Sequence, residues 1–273
     1  MASLEIVPAV ERRMAPRPEN LGVALAAKGR TSRFRVSLRV AFGILTIACI
    51  GIAFVANKYH SRKAALAILE RRGVSVHTED AALPEVVRRL LPAEMACVVK
   101  RIDVREMPPD AEILWAIVQL SEVRDVGFYK SQAGTEVSVA LNKLPCLEEV
   151  SFHSSIIEAG TLQKIHRSRK LTTITLTFSN ATDADCQQLA DFPSLSRVYM
   201  YGTGITDEGL SSLRDLPTLA HLGMSCDFVT KQGIEELCEK HPRLVLSFGG
   251  PEDFGEDWWT ELKRRHPQCT IRR

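Results

Sequence analysis

The chain offers seven histidines, seven cysteines and 33 acidic residues from which a reactive site could be built. Few of them fall into a spacing that does chemistry. His60, His77, His153, His166, His221, His241 and His266 are scattered. His153-Ser154-Ser155 sets an imidazole beside two hydroxyls, but a nucleophile–base pair needs a third group to orient the base, and no acid stands at that place. Asp253-Phe254-Gly255 matches the kinase magnesium tripeptide without the Gly-rich loop or H-R-D that must accompany it. Glu252, Asp253, Glu256 and Asp257 cluster without calcium-loop spacing. The cysteines are odd in number and contain no C-x-x-C, so zinc and thioredoxin chemistry lack their usual arrangement. The expectation is a protein that is not an enzyme and carries no metal and no small-molecule cofactor. Binding is then the function to look for, and binding residues need elements to position them.

Those elements recur. From Leu195 to Thr218 the sequence reads L-x-x-V-x-M-x-x-x-x-I-T-D-x-G-L-x-x-L-x-x-L-P-x, and sliding it by 24 residues fits again at Leu171, Leu147, Val123, Val99, Leu219 and, after a one-residue slip, near Arg243. Seven copies tile residues 99 to 267. Apolar residues at places 1, 4 and 6 (Leu195, Val198 and Met200 in the central copy) alternate as on a short strand. Places 16, 19 and 22 (Leu210, Leu213, Leu216) form one face of a helix. Asp183, Thr206 and Asp207 stand where a helix N-terminus needs side-chain oxygens, and Pro145, Pro193 and Pro217 follow the last apolar place. One strand–turn–helix unit cannot bury its apolar stripe alone, so copies must stack.

This pattern resembles the leucine-rich repeat family, and Thr206-Asp207-Glu208-Gly209-Leu210 resembles the subtype with a full helix per repeat. The resemblance implies an α/β solenoid with a parallel sheet on the concave face and helices on the convex face. Copy 99 departs from it with Pro108 and Pro109 in its turn, and copy 147 has Ser168 and Arg169 in place of the final Leu-Pro. In such a fold places 3, 5 and 7 face the concavity. Tyr129, His153, Arg197, Tyr199, Tyr201 and His221 then make an aromatic and basic patch suited to a protein or peptide partner. The competing reading is that exposed strands favour Tyr and Thr by propensity.

Ahead of the repeats, residues 1–39 carry eight Lys/Arg against three Asp/Glu and read as a disordered basic tail, whereas residues 58–273 carry 27 against 30. That slightly acidic body argues against nucleic acid as the partner. Residues 40–57 are uncharged and apolar, with Arg39 and Lys58 at their ends, and read as a transmembrane helix. A cleaved signal peptide is the alternative, against which stand the long basic leader and the long apolar run. Flanking charge nearly balances; the added Arg12, Arg13 and Arg17 favour a cytoplasmic N-terminus with the repeats outside. Residues 58–98 read as a juxtamembrane helical cap, with a helix over 61–72 ended by Gly73, a strand at Val74 and Val76, and a short helix between Pro84 and Pro92. Residues 99–273 are the repeat domain, and a fragment of residues 78–273 is expected to be soluble. In the last helix one of Trp258 and Trp259 is expected in the core and the other exposed. Three classes stay open: a membrane-tethered interaction module, an assembly component docking laterally on neighbours, and an enzyme with an unrecognised site.

Overall fold

The computed structural model describes residues 38–90, 96–165, 169–225, 227–249 and 254–272. The expected basic tail lies outside these residues but for its last two, as do His166, Ser168, Cys226, Glu252 and Asp253. The chain divides into two units, Met1–Ile50 and Gly51–Arg273.

In the first unit the described residues open helix α1, which runs Leu38–Arg71. Val40, Phe42, Ile44, Leu45, Ile47 and Ile50 are all exposed on it. The Thr46 hydroxyl donates to the carbonyls of Phe42 and Gly43, at 3.1 and 2.9 Å, so its polarity is satisfied within the helix. Among the described residues one helix, α1, is long and apolar enough to cross a membrane. A separate helix over residues 61–72 was expected, but α1 continues through them. The physical reason is local: no Gly or Pro interrupts residues 52–72 to stop a helix already propagating.

In the second unit the later turns of α1 bury Ala65 and Leu69 completely, and Val74 follows them into the core. Then come β1 (Ser75–Asp80), α2 (Glu85–Leu90) and β2 (Cys97–Arg105), followed by α3 (Ala111–Gln119), β3 (Asp125–Tyr129), β4 (Gln132–Ala133) and α4 (Thr135–Leu141). The chain continues through β5 (Glu149–His153), β6 (Ile156–Ile157), α5 (Thr161–Ile165), β7 (Thr173–Thr175), α6 (Asp183–Leu189), β8 (Arg197–Met200) and α7 (Asp207–Arg214). It ends with β9 (His221–Met224), α8 (Lys231–Lys240), β10 (Val245–Phe248), α9 (Glu256–Arg265) and β11 (Thr270–Arg272). One sheet holds β1-β2-β3-β5-β7-β8-β9-β10-β11 in that order, and β4 pairs with β6 in a small second sheet. From β2 onward the large sheet is parallel; β1 is antiparallel to β2. Strands alternating with helices and pairing in chain order resemble a leucine-rich repeat solenoid.

Register follows the sequence period. Ile102 lies opposite Val126, Val126 opposite Val150, Val150 opposite Ile174, Ile174 opposite Val198, Val198 opposite Leu222 and Leu222 opposite Leu246. The expected slip near Arg243 does not displace β10. It enters after that strand, where Thr270 pairs with Val245.

Two devices repeat with the strands. Residues at place 8 turn the chain out of the sheet in the left-handed region, with φ of 57° at Glu106, 49° at Lys130, 50° at Ser154, 52° at Phe178 and 63° at Gly202. Immediately after them, hydroxyls of Ser131, Ser155, Ser179 and Thr203 donate back to carbonyls at or just past the end of the preceding strand. The second device joins helix starts. Asp183 accepts from the Thr206 backbone N–H and hydroxyl at 2.8 and 2.7 Å, and Asp207 accepts from those of Thr230 at 2.8 and 2.6 Å. Each carboxylate thus secures the helix entry of the following copy. Room for it is made by Gly209 and Gly233, where an added Cβ would collide with Asp183 and Asp207.

Both ends of the repeat stack are covered. Arg62 pairs with Glu122, Arg71 with Glu112 at 2.6 Å and Arg72 with Asp110, tying α1 to the first repeat. At the other end Phe248, Phe254, Trp258 and Trp259 pack ring on ring, with Trp259 buried. Trp258 is half-buried rather than exposed because its indole N–H donates to Glu235 at 3.1 Å.

Candidate functional site

Because side chains alternate along a strand, places 4 and 6 enter the core with the helices and places 3, 5 and 7 fall on the opposite, helix-free face. Burial agrees: Val126, Phe128, Val150 and Phe152 are fully buried, while Asp125, Tyr129, Glu149 and His153 are partly open. Parallel register sets three rows across this face. They run Arg101, Asp125, Glu149, Thr173, Arg197, His221; Asp103, Gly127, Ser151, Thr175, Tyr199, Gly223; and Arg105, Tyr129, His153 towards Tyr201.

The six residues expected to form one patch separate into two groups. Tyr129 and His153 stack, with ring centroids 4.7 Å apart and planes within 7°. Tyr199, Tyr201, Arg197 and His221 lie beyond β7, whose Thr173 and Thr175 are buried. With strands about 4.8 Å apart, the groups stand roughly 10 Å from each other. Arg197 leans toward the first group, its Nε donating to the Thr173 hydroxyl at 2.8 Å. The tyrosines lean the other way. An added Cβ on Gly223 would meet Tyr201 Oη at 2.5 Å and Tyr199 Cδ1 at 2.6 Å, so both rings lie across that strand. The Tyr201 hydroxyl then donates to the Ser247 carbonyl at 3.3 Å on β10. The missing side chain at Gly223 is what lets them fold down across it. His221 Nδ1 is buried without a hydrogen-bond partner.

Around Tyr129 the structure assembles a network of charged groups that no catalytic spacing in the sequence marks. Arg101 donates from Nε to Asp103 and from Nη1 to Asp125, both at 2.8 Å, and from Nη2 to the Tyr129 hydroxyl. Arg105 reaches Asp103 at 3.1 Å and lies over the Tyr129 ring, 4.7 Å from its centroid. His77, from β1, approaches Asp103 at 3.3 Å. Asp103 is 2% exposed. Burial works against its charge, but the hydrogen bonds from Arg101 and Arg105 outweigh burial and hold its carboxyl below the ordinary range. Asp125 goes the other way, pushed up to about 6 by burial and by the neighbouring charge of Glu149. Its Oδ1 is buried without a hydrogen-bond partner. Burial and the charge of Arg101 lower the pKa of His153. The signal for this network was present in Arg101-x-Asp103-x-Arg105, which strand alternation sets on one face. The 24-residue period also sets Asp125 and Tyr129 beside it; what the sequence did not display was the hydrogen bonding that joins them.

No protein-family model matches this sequence, and no curated protein matches it. Among solved structures the chain is similar to an internalin of Listeria monocytogenes, at 13% identity and a TM-score of 0.35, over 57% of this chain and 49% of that one. The chain spans about half the length of that structure. A likeness so distant decides neither fold nor function.

Proposed function

We propose that this chain is a membrane-tethered protein-interaction module, anchored through residues 40–57 and taking a protein or peptide partner on the helix-free face of its sheet. The observation that carries the reading is the cross-strand fixation of that face. Arg101, Arg105, Tyr129, His153, Arg197 and Tyr201 are each held by a side chain or the backbone of another strand. Side chains held before binding lose little rotamer freedom on contact, which favours affinity. Aromatic and arginine groups of this kind are the usual anchors of an interface. The same groups are engaged with one another rather than converging on an enclosed pocket, which favours recognition over catalysis.

A captured partner titrated against the full chain and its variants tests the reading. Arg105→Ala and Tyr199→Ala are expected to lose about 2 kcal/mol each, roughly thirtyfold in affinity. Glu208→Ala, on exposed α7 surface, should bind as the parent does. Equal affinity for all three variants would remove the helix-free face as the site.

One observation favours lateral docking as a second reading. Trp115 on α3 and Val139 on α4 occupy the same place in neighbouring copies and are 44% and 53% exposed. Later copies carry Gln163, Gln187, Ser211 and Glu235 there, so the apolar strip is confined to α3 and α4. Loss of binding in Trp115→Ser with no loss in Arg105→Ala would select this reading.

A further inference from the structure

We infer that the closed end of the β1–β2 pair is a second contact with the bilayer, formed by Leu83 and Val86; this deepens the anchor reading of α1 and rests on it. The argument is one of chain direction. At its C-terminal end α1 is tied to the top of the first repeat through Arg71 and Arg72. β1 then runs back antiparallel to β2, so that Ser75 pairs with Asp103 at one end and Asp80 with Cys97 at the other. Cys97 is beside the earlier turns of α1. Its carbonyl accepts from Arg62 at 3.0 Å, and it lines with Val98, Phe54, Val55, Lys58 and Tyr59 a cleft of about 320 Å³. Phe54 and Val55 are the last large apolar residues of the uncharged run, and Lys58 is its first flanking charge. Asp80 and Cys97 therefore stand at the depth where that run gives way to charge, which for a spanning helix is the headgroup boundary.

The chain leaves β1 at that depth carrying apolar side chains that are exposed among the described residues. Ala81 bonds back to Ala96 at 2.9 Å, and two residues further on Leu83 is 38% exposed, with Val86 on α2 72% exposed. Arg89 and Glu85 form an ion pair along the same short helix. Apolar tips beside charges, level with the end of a membrane span, match the interfacial zone of a phospholipid bilayer, where apolar groups leave water while charges stay hydrated. A protein partner would not need the coincidence in depth.

The test uses the full chain in phosphatidylcholine–phosphatidylglycerol vesicles, with a photoactivatable diazirine amino acid at one position at a time. The positions are Leu83, Val86, Ile47 as the mid-span reference, and Phe228, exposed beyond the far end of β9, as the aqueous reference. All four side chains are exposed, and a thermal melt of each labelled chain checks that the fold is retained. Lipid adducts at Leu83 and Val86 at the level found at Ile47, with background at Phe228, support the inference. Adducts at Ile47 alone overturn it and leave the anchor standing. Background at Ile47 as well removes the anchor, and the second contact falls with it.

Discussion

Asp125 and Asp103 share one arginine yet titrate in opposite directions, and the contrast yields a pH dependence. A buried carboxyl raised to about 6 binds its proton more tightly folded than unfolded, so its contribution favours the fold as pH falls through about 6 towards the ordinary carboxylate value. Asp103, held low, contributes fully above the ordinary value and is lost only as pH falls through its own depressed one. Between pH 7 and 5 the Asp125 term acts alone of the two. Wild-type melting temperature is expected to rise over that interval, by a stability gain of at most about 1.4 kcal/mol, since only the unit of pH between about 6 and 5 falls inside it at 1.36 kcal/mol per unit. Asp125→Asn should flatten the rise, measured by thermal melts at both pH values; identical slopes would rule out this carboxyl as the source. At this scale the sequence was partly legible. Alternation assigned Arg101, Asp103, Arg105, Tyr199 and Tyr201 to one face. The directions in which those side chains lean depend on what the neighbouring strands lack, as at Gly223, and a pattern search on one strand does not contain that information.

Among the elements, the strand and helix periods were readable because burial on a 24-residue register leaves little freedom: Leu213 and Leu210, at two successive helix-face places, are 0% and 1% exposed. The threonine and aspartate of Thr206-Asp207 were read as a cap within one helix. They turn out to act in two copies, the threonine starting its own helix and the aspartate securing the next. Gly209 is the consequence. Gly→Ala inside a helix normally stabilises by about 0.5–1 kcal/mol, but here the new methyl would strike the Asp183 carboxylate and come within 2.8 Å of Ile205 Cγ2. The sign should reverse, with Gly209→Ala destabilising by about 1 kcal/mol or more. In an Asp183→Ala background the same change should cost less. A double-mutant cycle by denaturant melting measures the coupling, and additivity would break the proposed link.

At the level of the whole molecule, the division between anchor and cap was the least legible boundary, since one uninterrupted helix serves both and no sequence punctuation separates them. It also changes which fragment should stand alone. A chain beginning at residue 78 was expected to be soluble, but it would lack Ala65, Leu69 and Val74, all in the core, and Ser75, Val76 and His77, the first half of β1's pairing with β2. Residues 58–273 are therefore expected to melt as one cooperative unit. Residues 78–273 should melt lower or aggregate, because losing a buried leucine alone forfeits about 2 kcal/mol of apolar burial. Parallel expression and calorimetry of the two fragments decide this, and equal melting temperatures would remove α1 from the fold. The aspartate-to-threonine link has a consequence of another kind. Since Asp183 presents to Thr206 what Asp207 presents to Thr230, removing residues 183–206 would bring Asp207 into Asp183's position with its own donor, Thr230, already in place. The molecule is thus divisible in whole copies, a ruler whose length natural duplication or deletion of a gene segment can alter without redesigning a single joint.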